Sequence, residues 1–124
     1  MPSLEVELTP VLTALLSPAI SRPQFVEQLA AHVITDQQRQ WLETAIDRAY
    51  AQHPDIRDAR ARLALLYMAR QEWSQSLDLL ETDLAHQRLS WWGRLRYAEA
   101  LYWTRGIAAA TAIIEQVYQE QTEA

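Results

Sequence analysis

Histidine is the residue type in this sequence with the widest range of chemistry, since its imidazole serves both as a general base and as a metal ligand. The three histidines, His32, His53 and His86, lie far apart, and no two are separated by three or four residues. They therefore lack the spacing that would place two metal ligands, or an acid and a base, on one helix face. We expect all three to be ordinary surface or helix-end residues.

The remaining side chains with reactive groups are also explained without catalysis. Carboxylates cluster at Asp55/Asp58 and at Asp78/Glu81/Asp83, where helix capping and solvation account for them more simply than a bound metal does. The chain has no cysteine, which excludes thiol catalysis, disulfides and a thiolate metal site. With only two glycines, a glycine-rich phosphate loop is hard to build. We expect neither enzymatic activity nor a metal or other cofactor.

One stretch carries residue types suited to binding. Four side chains follow one another at intervals of four, three and four residues, which places them on one stripe of a helix: Trp92, Arg96, Glu99 and Trp103. Tryptophan and arginine dominate the binding energy of many protein interfaces. The alternative is that Trp103 and either Trp91 or Trp92 are core residues, with a solvated Arg96–Glu99 pair. Because neighbours on a helix point about 100° apart, Trp91 and Trp92 cannot both face inward.

Composition and charge narrow the class of protein. The net charge is -5, and the eleven basic residues, all arginines, are spread among sixteen acidic ones. Nucleic-acid binders usually carry a basic stripe that neutralises phosphates, so we expect no nucleic-acid partner. The N-terminus carries acidic residues where a signal peptide needs basic ones, and no apolar run is long enough to cross a membrane. We therefore expect a cytoplasmic protein with no membrane insertion.

Capping residues and prolines indicate where helices begin and end. The length suits one domain, and good helix formers such as alanine, leucine and glutamine are abundant. Residues 1–9 are expected to be an extended arm or a loose helical turn, and Gly106 to end a helix, since glycine readily takes a positive φ. In all we predict seven helices and no strand. The predicted helix starts are Thr9-Pro10, Ser21 (with Gln24), Thr35-Asp36, Asp55 and Ser90.

The sequence also repeats itself at an offset of 34 residues, which aligns the blocks 23–56, 57–90 and 91–124. In the first helix of each block, a small residue lies between two large apolar ones. One helical hairpin cannot bury both sides of its apolar surface, whereas a stack of three can. The aligned sets are Leu29/Leu63/Tyr97, Ala30/Ala64/Ala98 and Val33/Tyr67/Leu101.

This pattern resembles the tetratricopeptide repeat family, through its 34-residue period and the runs Leu63-Ala64-x-x-Tyr67 and Tyr97-Ala98-x-x-Leu101. Ala110 matches the family's small residue of the second helix, and Pro54 its block-ending proline. The resemblance implies an all-α fold, a right-handed stack of three helix-turn-helix hairpins with an extra N-terminal helix. The single domain 1–124 would comprise an N-terminal arm and helix (1–22), a degenerate repeat (23–56) and two further repeats (57–90 and 91–124).

Several positions depart from the family pattern. Arg60 and Arg94 stand where the family places an early aromatic residue, and Arg88 where it places the block-ending proline. In the first block, Arg39 replaces a large apolar residue. Other arrays of helical hairpins therefore stay open as an alternative.

In arrays similar to this one, the first helices of the hairpins line a concave surface. The resemblance implies an exposed groove between helices 57–70 and 91–104, which would bind an apolar helix or extended segment of a partner protein. Positions that grip a terminal carboxylate in family members hold Ala61, Leu65, Leu95 and Glu99 here, which argues against a carboxylate ligand. The residues expected to bind the partner are Leu65, Met68, Trp92, Leu95, Arg96, Glu99, Tyr102 and Trp103.

Two functions follow as alternatives. The first is an adaptor or small chaperone that holds a partner segment in this groove. The second is a structural subunit that acts by homo-oligomerisation or by docking in a larger assembly, through the 107–118 helix and the N-terminal arm. One neighbouring helix cannot cover Ile107, Ile113, Val117 and Tyr118 together, which makes the C-terminal helix the predicted site of any self-association.

Overall fold

The structure is a computed structural model that describes residues 4–17 and 34–123. Within these ranges all regular structure is α-helical and no strand occurs, which confirms the all-α prediction for this part of the chain. The predicted helix that begins near Ser21 lies outside the described residues. The described helices are α1 (Leu4–Leu16), α2 (Asp36–Gln52), α3 (Ala59–Ala69), α4 (Trp73–Ala85), α5 (Trp91–Arg105) and α6 (Ile107–Glu123).

The chain divides into two compact units, Met1–Ala59 and Arg60–Ala124. In the first unit, α1 packs against α2. The spacing of Leu8, Val11 and Leu15 along α1 places them on one face, and all three are buried. On α2 the buried apolar side chains are Leu42, Ile46, Ala49 and Tyr50.

The predicted start of the first helix at Thr9-Pro10 is wrong, because α1 begins at Leu4 and continues through Pro10. A proline inside a helix removes one backbone hydrogen bond and costs about 3 kcal/mol. Burial of Leu8 and Val11 on either side of Pro10 offsets this cost, since each buried side chain contributes about 1.5–3 kcal/mol. The ring of Pro10 itself is exposed.

The capping predictions at Thr35 and Ser90 are confirmed. The Thr35 hydroxyl accepts a hydrogen bond from the Gln38 backbone N–H (3.1 Å), while the Gln38 side-chain oxygen accepts one from the Thr35 N–H (2.9 Å). This is a complete capping box at the start of α2. The Ser90 hydroxyl accepts from the Trp92 N–H at the start of α5 (3.2 Å).

The predicted cap at Asp55 is wrong, because α3 begins four residues later, at Ala59. Two buried side chains from elsewhere in the sequence take its place. The Tyr50 hydroxyl accepts a hydrogen bond from the Ala59 N–H (3.1 Å). One carboxylate oxygen of Asp83 accepts from the Arg60 N–H (3.2 Å).

The second unit contains two helical hairpins. The Ser76 hydroxyl of α4 donates to the Ala64 carbonyl of α3 (3.3 Å), so these two helices approach closely where both side chains are small. In the second hairpin, Arg94 near the start of α5 forms an ion pair with Glu120 near the end of α6 (2.6 Å), which shows that the helices run antiparallel. The buried residues include both large-small-x-x-large runs, Leu63/Ala64/Tyr67 and Tyr97/Ala98/Leu101.

Gly106 joins α5 to α6 and has φ 95° and ψ 177°, so the predicted positive φ is confirmed. This backbone conformation is almost restricted to glycine. A Cβ added here would meet no atom within 4 Å, so a substitution is opposed by backbone strain alone.

We therefore expect Gly106→Ala to lower the free energy of unfolding by about 1–3 kcal/mol, measured by urea denaturation with far-UV circular dichroism. Ala112→Ser, at an exposed position of α6, is the matched control and should change this free energy by no more than about 0.5 kcal/mol. Equal effects of the two substitutions would contradict the assigned backbone conformation.

Candidate protein-binding surface

Helix α5 packs against both α4 and α6 and keeps one side open. Its buried residues are Gly93, Tyr97, Ala98, Ala100 and Leu101. The predicted binding residues on this helix lie elsewhere on its surface, and none of them is buried: Trp92, Leu95, Arg96, Glu99, Tyr102 and Trp103. Together with Trp91, they are called the α5 face below. The structure therefore brings six of the eight predicted binding residues onto one helix surface.

Three aromatic rings form a continuous group at the C-terminal end of the α5 face. The Trp103 ring stacks on Trp73 of α4, with centroids 5.5 Å apart and planes inclined by 18°. Tyr102 meets Trp103 edge-on, with centroids 4.9 Å apart. Trp103 nevertheless remains 59% exposed, so the alternative that it is a core residue is wrong. Rings fixed by their neighbours lose little side-chain entropy on binding, which favours their use at interfaces.

The N-terminal end of the α5 face carries the two adjacent tryptophans. Trp91 is 48% exposed and Trp92 is half-buried, which confirms that the two cannot both face inward. The Arg96 guanidinium lies over the Trp92 ring, 5.5 Å from its centroid. A cation–π contact of this kind contributes about 0.5–1 kcal/mol at an exposed site and holds both side chains in place.

Leu65 and Met68, the other two predicted binding residues, are buried in α3. The expected exposure of Asp58, Ala61, Leu65 and Met68 is wrong, because all four are buried. The physical reason is visible in the sequence: residues 63–68 are six consecutive apolar residues, and a helix without a polar face is buried all round. A role for Leu65 and Met68 in partner binding stays a prediction, one that requires these side chains to become exposed.

Helix α6 exposes several large apolar side chains. Ile107 and Tyr118 are 71% and 70% exposed, whereas Val117 is buried and Ile113 is half-buried. This confirms that one neighbouring helix does not cover all four. Sequence reasoning missed Ile114, which is also exposed. Comparison with Leu80, its equivalent at an offset of 34, marks it as a position of the same kind.

The ionisable groups near these helices form ion pairs. Arg105 of α5 contacts Glu81 of α4 (3.3 Å). Burial and the nearby Glu81 carboxylate raise the pKa of the Tyr97 hydroxyl, against an opposing effect of Arg105, so Tyr97 stays neutral around pH 7. The hydrogen bond from Arg94 lowers the pKa of the Glu120 carboxyl. None of these shifts moves a group into the pH range where it would exchange protons as a general acid or base.

The described histidines lie at helix ends, as predicted. His53 is the C-cap of α2 and His86 that of α4, and both are exposed. The His86 Nδ1 atom lies 2.9 Å from the Thr82 carbonyl oxygen, one turn earlier in the same helix. His32 lies outside the described residues. Within residues 4–17 and 34–123, no three histidine or acidic side chains are grouped so that they could hold a metal ion.

None of the helices in the described ranges has the length and apolar character needed to cross a membrane. Comparison with protein-family models, curated proteins and solved structures finds no match. The function is therefore inferred from the geometry of this chain alone.

Proposed function

We propose that this chain is a non-catalytic protein-interaction module, an adaptor or small chaperone, whose α5 face binds an apolar helix or extended segment of a partner protein. Its architecture would be a right-handed stack of three helical hairpins of the tetratricopeptide type, with an extra N-terminal helix. The antiparallel α5–α6 hairpin and the burial of both large-small-x-x-large runs support this architecture.

The observation that carries the proposal is the exposure of three large aromatic side chains on one packed helix: Trp91, Tyr102 and Trp103. Their exposed parts together amount to about 300 Å² of mostly apolar surface, since an aromatic side chain buries about 150–250 Å² when fully covered. At about 25 cal/mol per Å², covering them would contribute roughly 8 kcal/mol before the costs of association. Micromolar binding of a peptide is within reach of such a surface.

Selection of a 16-residue phage-displayed peptide library on the immobilised protein provides ligands for a direct test. For a selected peptide, Trp92→Ala and Tyr102→Ala should each weaken binding by about 1–3 kcal/mol, or roughly 5- to 150-fold, in isothermal titration calorimetry. Both variants should keep the helical circular dichroism spectrum of the wild-type protein.

Gln116→Ala, an exposed substitution on α6, is the control and should bind the peptide as the wild type does. Unchanged affinity in both aromatic variants would place the binding surface elsewhere and refute the proposal.

The second candidate function is a structural subunit that acts through homo-oligomerisation or docking. The exposure of Ile107 and Tyr118 on α6 favours this candidate, since apolar patches of this kind mark association surfaces. Light scattering at high protein concentration distinguishes self-association, because a monomer has a mass of 14.3 kDa.

A further inference from the structure

Helix α4 shows how this chain covers the two faces of a second-in-hairpin helix. One face, with the buried Ser76 and Asp83, contacts α3. The other face packs against α5: Trp73 stacks on Trp103, and Glu81 pairs with Arg105. One and two turns after Trp73, this second face continues in a stripe whose central members are buried: Leu77, Leu80 and then Leu84.

Helix α6 has the same layout 34 residues later, but only one of its faces is covered. Ala110, equivalent to Ser76, is buried, as is Val117, equivalent to Asp83, on the side of the helix that also carries Glu120 toward Arg94 of α5. The other face, called the α6 stripe, is exposed along its whole length. Its members are Ile107, Thr111, Ile114 and Tyr118, the equivalents of Trp73, Leu77, Leu80 and Leu84.

The charged residue beside this stripe is also repeated. Glu115 is the equivalent of Glu81 and is exposed, and no arginine of the described residues forms a salt bridge with it. Helix α6 contains no basic residue at all, but it has three glutamates, Glu115, Glu120 and Glu123. An occupant that follows the α4–α5 contact would therefore bring its own basic residue to Glu115.

We propose that the α6 stripe is a docking site for an amphipathic helix of a partner protein. That helix presents apolar or aromatic side chains to Ile107, Ile114 and Tyr118 and an arginine or lysine to Glu115, as α5 does toward α4. A second copy contributing its own α6 is a poorer match, because two acidic helices would face each other with no basic residue on either. This site is separate from the α5 face and goes beyond the function proposed for it.

The probe for the test is a peptide with the sequence of residues 90–105, since α5 is the helix that covers the equivalent face in this structure. A 15-residue helix is marginal in water, so a hydrocarbon staple joins positions 95 and 99. Both positions are half-exposed in α5, away from the buried Tyr97 and Ala100. We expect saturable one-to-one binding of the labelled peptide to the full chain, measured by fluorescence anisotropy.

Two sets of variants assign the site. Ile107→Ser/Tyr118→Ser should weaken peptide binding at least about 10-fold, since each side chain contributes on the order of 1 kcal/mol as an interface anchor. Both side chains are largely exposed, so the fold is retained. The matched control is Gln116→Ser, on the opposite side of α6, which should leave binding unchanged.

The charge contact is tested by exchange. Glu115→Arg should weaken binding of the peptide about fivefold, and an Arg105→Glu peptide should bind the Glu115→Arg protein better than it binds the wild type. Trp92→Ala in the protein should not affect this peptide, which distinguishes the α6 stripe from the α5 face.

Three results would overturn the proposal: no saturable binding of the stapled peptide, binding that survives Ile107→Ser/Tyr118→Ser, or an unchanged preference after the charge exchange. A wild-type dimer in sedimentation analysis that the double variant dissociates would show instead that a second copy occupies the stripe.

Discussion

Asp83→Ala is expected to lower the free energy of unfolding by about 3–5 kcal/mol, the largest loss for any substitution of a polar residue considered for this chain. One Asp83 oxygen lies 3.2 Å from the Arg60 guanidinium, and the other accepts the Arg60 backbone N–H at the start of α3. Both side chains are buried. Removing the carboxylate leaves a buried positive charge and an unpaired backbone donor, and both carry a desolvation cost.

Urea denaturation followed by far-UV circular dichroism measures this loss. Glu115→Ala, which removes an exposed carboxylate of the same unit, is the control and should cost no more than about 0.5 kcal/mol. A similar small effect of Asp83→Ala would contradict the buried ion pair.

The double variant Arg60→Met/Asp83→Leu separates the two contributions of the Asp83 carboxylate. It removes both charges, so the cost of the uncompensated arginine disappears. The Arg60 backbone N–H still lacks its acceptor, and we expect a remaining loss of about 1–3 kcal/mol. The double variant should therefore be more stable than Asp83→Ala alone, and a double-mutant cycle gives the coupling energy of the pair.

The second large effect is a difference between two equivalent positions. Leu80→Ala should lower the free energy of unfolding by about 2–5 kcal/mol, because Leu80 is fully buried and the substitution leaves a cavity. Ile114→Ala, 34 residues later, should cost about 1 kcal/mol or less, since Ile114 is 47% exposed and alanine favours the helix. Each substitution thus serves as the control for the other.

The same urea denaturation measures both variants at low protein concentration. Equal losses would show that Ile114 is covered as Leu80 is, and would contradict the exposed α6 stripe. A loss for Ile114→Ala that grows with protein concentration would point to a second copy on this face.

The helix boundaries that can be predicted from the sequence are those set by neighbouring residues. The Thr35–Gln38 capping box, the Ser90 cap and the positive φ of Gly106 each depend on atoms within three residues, so the local pattern is sufficient. The start of α3 could not be predicted in this way. Its first two N–H groups are bound by Tyr50 and Asp83, which lie 9 and 23 residues away in the sequence.

The candidate surface was predictable to a similar extent. Helical spacing correctly groups the α5 residues, since a stripe is a property of one helix. It cannot say which stripe the neighbouring helices cover, and for that reason the expected exposure of Leu65 and Met68 is wrong. The contact of Trp73 with Trp103 spans 30 residues and leaves no local signal in the sequence.

The stacked Trp73 and Trp103 rings also give the α4–α5 contact an optical signature. Two indoles at 5.5 Å couple their electronic transitions, which produces a paired positive and negative band in ultraviolet circular dichroism that a lone indole lacks. Trp41 is the only tryptophan in residues 1–59, so this signal belongs to the second unit. Loss of the paired band on heating therefore reports separation of α4 from α5 without any added label.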